Sequence, residues 1–579
     1  MNNDRPDWMT DQAYSMLTKG YLLEGEEPRQ LYLRLADAYE KNALTSLFKS
    51  SYNKEKEQEV EEIKKRKTRL FDYMWNNWFC PSTPIMSNFG TDRGLGISCF
   101  SFEVGDSMDQ IGKSAHELMM LSKYGGGVGS NFNNVRPRDS LIQGGKNGKS
   151  EGTIPFIKIM DSCTVGSNQG STRRGAFSAN MFADHGDIDE FIKIRRPQGD
   201  VNRQCLNIHH GIFFTREFIE RAEKGFKKER GIWTETIRTR LETGEPYMSF
   251  YDNINDRRPQ WYVDKGHFVN NGNICQEIEL FSDMENTFVC CVSSTNIARF
   301  NEWKDNSLFI EDCIFFLDAV MEDFIIRSAN IPGFERSNRF AKYSRALGLG
   351  VLGWHTFLQT NELVFDTSWN TMRTQAEIFG KIQRESISAS EKMAKIYGEP
   401  ELMIGYGRRH SHLNAIAPTF SNSRISGGLS AGIEPIAANC YADKTAKGTF
   451  VVKNPTLEKL LISINKNTDE VWKSITINEG SVQHLDFLDQ HQKDVYLTAR
   501  EINQFHIITQ AAQRQNFIDQ GQSVNLFFPA NANLKYVNKV HLEASKVLNR
   551  LYYCRSTSVL KGDVASRYYD ENSCKSCEG

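Results

Sequence analysis

The chain has 579 residues, 39% of them hydrophobic and 25% charged, with a formal net charge of −2. This is the composition of a soluble globular protein, and so balanced a charge gives no field for nucleic acid or an anionic membrane. Residues 1–8 (MNNDRPDW) lack the apolar segment of a signal peptide, and no run approaches the ~20 apolar residues that span a bilayer.

Taken in chain order, Leu31, Leu35, Tyr39, Ala43 and Leu47 recur every four residues and predict a helix with one apolar stripe. The charged stretch from Asn53 to Arg69 predicts an exposed helix laced with Lys and Glu. From about Cys80 to Arg555, short apolar runs such as residues 211–214 alternate with long amphipathic patterns such as Leu308 to Ala329. That mixture predicts an α/β core with helices outside, in one large domain, because no Pro- or Ser-rich linker interrupts it. The last segment, 561–579, is polar and short of aliphatic residues, the composition of a disordered tail. The expected division is a helical N-terminal domain at 1–75, an α/β catalytic domain at 76–560 and the tail at 561–579.

Twelve cysteines without a secretory leader read as reduced thiols in the cytoplasm. In Asn273-Ile-Cys275-Gln-Glu277, alternation on a strand would place the amide, the thiol and the carboxylate on one face. Glu277 is then a candidate general base toward a substrate hydroxyl, and the alternative is a cysteine packed as a small hydrophobe. Cys290 and Cys291 are adjacent, and disulfide geometry does not suit neighbours, so a redox partner for either is distant in sequence. Cys99 is a candidate, whereas Cys80, Cys163, Cys205, Cys313, Cys440 and Cys554 read as packing. Cys574-Lys-Ser-Cys577 has no second metal-binding pair at zinc spacing and suits thiol–disulfide exchange. A flexible coil from Thr557 to Cys574 spans ~20–25 Å, enough to swing from the surface into a cleft.

Other features carry less. Gly348-Leu-Gly350-Val-Leu-Gly353 matches a dinucleotide fingerprint, but its flanks read as helical, so the glycines are assigned to close helix packing. Tyr552-Tyr553 ends an apolar, helix-like run and reads either as core aromatics or as a one-electron relay. Asp106, residues 125–129, Arg136 and the loop 169–175 form a candidate phosphate-binding set. Residues 418–423 offer hydroxyls and N–H groups that would cap a helix and hold an anion.

The ordered set Ser98-Cys99, the Arg173 loop, Asn273-x-Cys275-x-Glu277, Cys290-x-x-Ser293, Tyr552-Tyr553 and a C-terminal cysteine pair resembles the large (α) subunit of ribonucleotide reductase, most closely of class I. The resemblance runs from about residue 10 to the end. It implies a ten-stranded α/β barrel with a central finger loop, which reduces ribonucleoside diphosphates to deoxyribonucleotides. By the resemblance Cys275 carries a thiyl radical, Glu277 takes the 3′-hydroxyl proton and Asn273 holds the substrate. Cys99 and Cys290 supply the electrons, Cys574 and Cys577 re-reduce them, and thioredoxin or glutaredoxin recharges the tail. Tyr552 and Tyr553 relay the radical from a separate β subunit, which holds the metal or metal-derived cofactor, so no cofactor is expected in this chain. Substrate binding falls to Thr83, Ser98, Pro418, Thr419, Ser421 and Asn422 as well. Asp106, Arg136 and Arg173 belong to an allosteric site for deoxynucleotides or ATP, at the interface of a homodimer.

Two departures stand out. The first helices of the catalytic unit begin almost at once, so an N-terminal ATP-cone, and with it overall control by dATP, is not expected unless a partner carries it. Phe420 occupies the phosphate loop where some relatives place an acidic residue. The rival readings are an adenosylcobalamin-dependent class II reductase, a nicotinamide-dependent oxidoreductase resting on Gly348 to Gly353, and a zinc-binding interaction protein resting on the tail cysteines.

Overall fold

The computed structural model describes residues 4–50, 56–167, 175–445 and 448–556. The chain opens with helices α1 (Asp11–Thr18), α2 (Pro28–Lys49) and α3 (Lys56–Trp75). Pro28 in the first turn and a capping box between Glu27 and Gln30 fix the start of α2. Its predicted stripe, Leu31, Leu35, Tyr39, Ala43 and Leu47, is buried throughout. The charged stretch departs from expectation, because α3 buries Arg66 completely along with Ile63 and Leu70. The reason is an ionic partner: Arg66 Nε donates to Asp312 Oδ1 at 2.7 Å, and Arg69 Nε donates to Oδ2 at 2.7 Å.

Asp312 lies on the Phe309–Ser328 helix, which is also not the amphipathic surface helix expected. It is buried on nearly every face, packed between α2, the Trp369–Tyr397 helix and the sheet. Halfway along it, Asp318 accepts from Arg345 Nε at 2.8 Å and from Arg409 Nε at 3.1 Å, tying this helix to two other segments.

The sheet explains the rest. Strands β1 (Phe79–Pro81), β2 (Cys99–Glu103), β3 (Gly127–Asn131), β4 (Ala176–Phe182), β5 (His209–Phe214) and β6 (Tyr247–Phe250) come first, and β2 to β6 pair in parallel in chain order. Strand β7 (Phe288–Asn296) runs antiparallel to β2 and, further along, to β1, while β8 (Leu347–Leu352) pairs with it in parallel. A hairpin of β9 (Cys440–Thr445) and β10 (Gly448–Lys453) stands apart, beside a small core of Leu457, Leu461, Trp472 and Ile475. The barrel continues through extended backbone. Leu347 and Leu349 N–H donate to His412 and Leu413 carbonyls, and Ile416 N–H donates to Gly521 O at 3.1 Å. Finally β11 (Leu526–Phe528) pairs in parallel with β13 (Cys554–Ser556), and β12 (Arg550–Leu551) pairs antiparallel with β6. Two parallel halves of five segments thus meet at the β2–β7 and β6–β12 seams, which gives the ten-stranded barrel that was expected.

Residues 271–281 run through its interior as a finger. Asn271 Nδ2 donates to Phe102 O at 2.7 Å on one side, and Gly521 N–H donates to Glu277 O at 2.8 Å on the other. Gly129 makes room, because a Cβ there would overlap the Gly272 carbonyl oxygen. Gly125 and Gly126 turn the chain out of the Met108–Lys123 helix and residues 127–129 belong to buried strand β3, so this segment is not an open phosphate loop. The Gly348 to Gly353 segment is also corrected: it is strand β8 followed by a helix, not helix throughout. A Cβ on Gly350 would overlap the Ala415 carbonyl and one on Gly348 would lie 3.2 Å from Cys290 Sγ, so protein already fills the space beside these glycines.

Candidate active site

The Asn273 to Glu277 segment is a tight turn at the tip of the finger, not the expected strand. Gln276 N–H returns to Asn273 O at 3.2 Å, and Gln276 takes a left-handed φ of 64°. The turn, rather than strand alternation, brings the amide and carboxylate together: Asn273 Nδ2 donates to Glu277 Oε2 at 2.7 Å. The same Nδ2 lies 3.5 Å from Cys99 Sγ, and the Cys99 thiol lies 3.8 Å from Glu277 Oε1. Asn273 Oδ1 accepts from Ile278 N–H, which fixes the amide's orientation.

Cys99 opens β2 and stands directly opposite Cys290 on β7. Opposed antiparallel residues have Cα atoms ~4.5–5.5 Å apart, inside the range of about 4.4–6.8 Å that a disulfide spans. Cys99, distant in sequence, is thus in register with one of the two adjacent cysteines. Burial pushes both thiols well above their ordinary range, and the Glu277 carboxylate adds to this. Both therefore stay protonated at neutral pH. Burial likewise raises Glu277 to about 7, with the Asn273 amide holding it back from going higher. A carboxyl poised there accepts a proton from a hydroxyl readily.

Tyr552 and Tyr553 do not end a helix. They lie between β12 and β13, and the preceding helix stops at Val547. Tyr552 Oη is 3.8 Å from Cys275 Sγ, and the two tyrosine rings are 4.2 Å apart between centroids. Tyr553 Oη approaches His209 Nδ1 at 3.4 Å, and His209 in turn meets Glu245 at 2.6 Å. Burial opposes ionisation of Glu245, but Arg195 and His209 outweigh it and hold the carboxyl well below its usual range.

Pro418, Phe420, Ser423 and Arg424 share a cleft with Tyr552 and Tyr553. The Phe420–Ile425 helix has no side-chain cap, contrary to expectation. Thr419 takes φ 50° and its hydroxyl accepts from Gly432 N–H at 2.7 Å, while Asn422 Nδ2 donates to Pro81 O at 2.9 Å. Pro81 leads into the helix that Thr83 begins, and Ser98 Oγ lies 3.6 Å from Cys99 Sγ. Ser421 is half-buried on the same short helix. Beyond the ends of β2 and β3, Asp106 accepts from the Arg136 backbone N–H at 2.9 Å and from its Nε at 2.8 Å. Arg173, Cys574 and Cys577 lie outside the described residues.

Reading the sequence missed several contacts. Tyr247 packs 4.8 Å and 5.2 Å from the Tyr552 and Tyr553 rings, Gln520 Nε2 lies 3.7 Å from Cys290 Sγ, and Ser523 Oγ donates to Cys275 O at 2.6 Å. Only the aromatic character of Tyr247 was a signal, and it equally marks an ordinary buried strand.

Among the described residues no helix is long and apolar enough to cross a membrane. The family model "Ribonucleotide reductase, all-alpha domain" matches residues 8–94, and "Ribonucleotide reductase, barrel domain" matches 97–227, 226–403 and 400–553. A chain of Frog virus 3 (isolate Goorha) is 35% identical over 592 residues, covering 99% of both chains. The ribonucleoside-diphosphate reductase large subunit of Invertebrate iridescent virus 3 is 32% identical, over 88% of this chain and 92% of its own. The solved α subunit of the Actinobacillus ureae class Id ribonucleotide reductase matches at TM-score 0.85 and 38% identity, over 96% of this chain and 98% of that one. The chain therefore belongs to the family of ribonucleotide reductase large subunits.

Proposed function

We propose that this chain is the catalytic subunit of a class I ribonucleoside-diphosphate reductase, working on ribonucleoside diphosphates with a radical-generating β subunit. The observation that carries the reading is the register of Cys99 against Cys290, beside the Asn273–Glu277 pair, whose turn also holds a cysteine 3.8 Å from the Tyr552 hydroxyl. Glu277 takes the proton of the 3′-hydroxyl while a thiyl radical on Cys275 abstracts the 3′ hydrogen. The Cys99/Cys290 dithiol gives two electrons and two hydrogens. The 2′ carbon–oxygen bond is exchanged for carbon–hydrogen, water leaves, and a Cys99–Cys290 disulfide remains. Each turnover consumes the dithiol, so Cys574 and Cys577 reopen the disulfide and thioredoxin or glutaredoxin recharges them.

Thr83, Ser98, Pro418, Thr419, Ser421 and Asn422 bind the substrate, and Tyr553 and Tyr552 pass the radical inward to Cys275. Asp106, Arg136 and Arg173 bind a deoxynucleotide or ATP effector at the interface of a homodimer, in a cytoplasmic enzyme. The same reading keeps the division into a helical domain at 1–75, a barrel at 76–560 and a redox tail. Similarity to a class I α subunit and the contact between Tyr552 and Cys275 support this over a cobalamin-dependent reductase.

Reduction of radiolabelled CDP with dithiothreitol and an effector nucleotide tests it, run with the β subunit and separately with adenosylcobalamin. Deoxycytidine product only with the β subunit, lost in Cys275→Ser, is the expected result. Product with cobalamin alone moves the chain to class II.

A further inference from the structure

The turn that carries Cys275 is held by groups that the chemistry above does not use. Gln276 is fully buried and sits at φ 64°, a conformation L side chains rarely adopt, so something else must keep it there. Its amide spans the turn. Nε2 donates to Asn273 O at 2.8 Å, and Oε1 accepts from Arg550 Nη1 at 2.9 Å and Ser249 Oγ at 3.2 Å.

Arg550 is buried too, and reaches the finger at three points. Its Nη2 donates to Asn271 O at 2.8 Å before the turn, its Nη1 meets Gln276 at the turn, and its Nε lies 3.6 Å from Glu279 Oε1 after it. Gly272 leaves the space, since a Cβ there would overlap Arg550 Nη1 and press on the Gln276 amide. Arg550 also stands two residues before Tyr552, on the strand segment that brings the phenol to 3.8 Å from Cys275 Sγ.

We infer that Gln276 and Arg550 form a clasp that fixes the Cys275 sulfur against the Tyr552 phenol. They are positioning residues for the hydrogen transfer between those two groups, an inference that rests on the function proposed above. In that step a Tyr552 radical, made by the one-electron oxidant of the partner subunit, takes a hydrogen atom from Cys275. The S–H bond breaks and an O–H bond forms. One electron and one proton pass from sulfur to oxygen, which leaves the thiyl radical. Through the clasp the finger and the tyrosine strand move as one body, so the two atoms keep their separation as substrate enters and product leaves. Misplacement of reacting atoms by ~1 Å costs on the order of 10²-fold in rate.

The test uses the intact chain with its β subunit, CDP and effector. Gln276→Met keeps the side-chain length without the hydrogen bonds, Gln276→Glu keeps an acceptor for Arg550, and Arg550→Lys keeps the charge without the fork. Gln276→Met is expected to lower kcat on the order of 10²-fold with KM for CDP unchanged. It should also show a larger solvent deuterium isotope effect on kcat than wild type, because the hydrogen moved in the limiting transfer, that of the Cys275 thiol, exchanges with solvent. Gln276→Glu recovers a large part of kcat. Arg550→Lys gives the same signature as Gln276→Met, and serves in its place if that variant does not fold. Wild-type kcat in the folded variants, or a loss of kcat with raised KM and an unchanged isotope effect, overturns the clasp. A wild-type chain inactive in this assay removes the functional reading and the clasp with it, whereas an active wild type with an indifferent Gln276→Met removes the clasp alone.

Discussion

Replacing Glu277 with Gln separates the chemistry of this carboxyl from its structural cost. The side chain is almost wholly inaccessible, and burial raises it from 4.5 to about 7. At roughly 1.4 kcal/mol per pH unit, that rise corresponds to about 3 kcal/mol of penalty on the ionised form, as an upper value. The folded-state value exceeds the unfolded one, so the folded chain holds this proton more tightly. The associated stability is complete below about 4.5 and is lost as pH rises through about 7. Glu277→Gln removes the titration and keeps the shape, since its amide oxygen still accepts from Asn273. The variant should therefore resist thermal unfolding better than wild type at pH 8, with the difference shrinking toward pH 5. Activity should move the opposite way. Loss of a general base costs ~10²–10⁴-fold, and the rise of kcat/KM with pH through about 7 should vanish in the variant. The assay is CDP reduction with the β subunit across pH 6–9, beside melting curves at the same pH values. Activity within about tenfold of wild type, below the range for losing a general base, or an unchanged acid limb in Glu277→Gln, would refute the assignment of base.

Other perturbations follow from the same geometry. Tyr552→Phe removes the phenol 3.8 Å from Cys275 Sγ, so deoxycytidine formation should fall to background while equilibrium binding of CDP stays at the wild-type value. Asp318→Asn leaves Arg345 and Arg409 buried without their shared carboxylate and should cost about 3–5 kcal/mol in denaturant unfolding. Burial opposes ionisation of Asp318, yet these arginines hold it well below the ordinary carboxylate range. Its contribution is therefore complete above the unfolded value and fades as pH falls through the folded one, a dependence that Asp318→Asn should lack in acid melting curves.

Much of this was legible in the sequence because it depends on order and period. The α2 stripe is a repeat of four, and the cysteines, the tyrosine pair and the Asn273 to Glu277 motif occur in an order that points to one family. What failed were inferences about neighbourhood. Arg66 looks like any exposed basic residue until Asp312, far along the chain, is placed against it. The glycines of β8 looked helical because their flanks are apolar without a period, as buried strands are. Their role depends on Ala415 and Cys290 lying alongside. Asn273 and Glu277 would share a strand face just as well as they converge in a turn, and only the left-handed Gln276 distinguishes the two. Gln520 and Arg550 carried no local signal, since each acts on a residue more than two hundred positions away.

The central claim is that one dithiol, Cys99 with Cys290, supplies the electrons for one reduction. Its most direct test is a single turnover. The pre-reduced chain, with Cys574 and Cys577 changed to Ser, is mixed with the β subunit, effector and CDP without external reductant, and the product is counted and the thiols mapped. The account predicts at most one deoxycytidine product per chain, matched by an equal amount of Cys99–Cys290 disulfide. Continued turnover without that disulfide, or product formed while both thiols remain free, would contradict it.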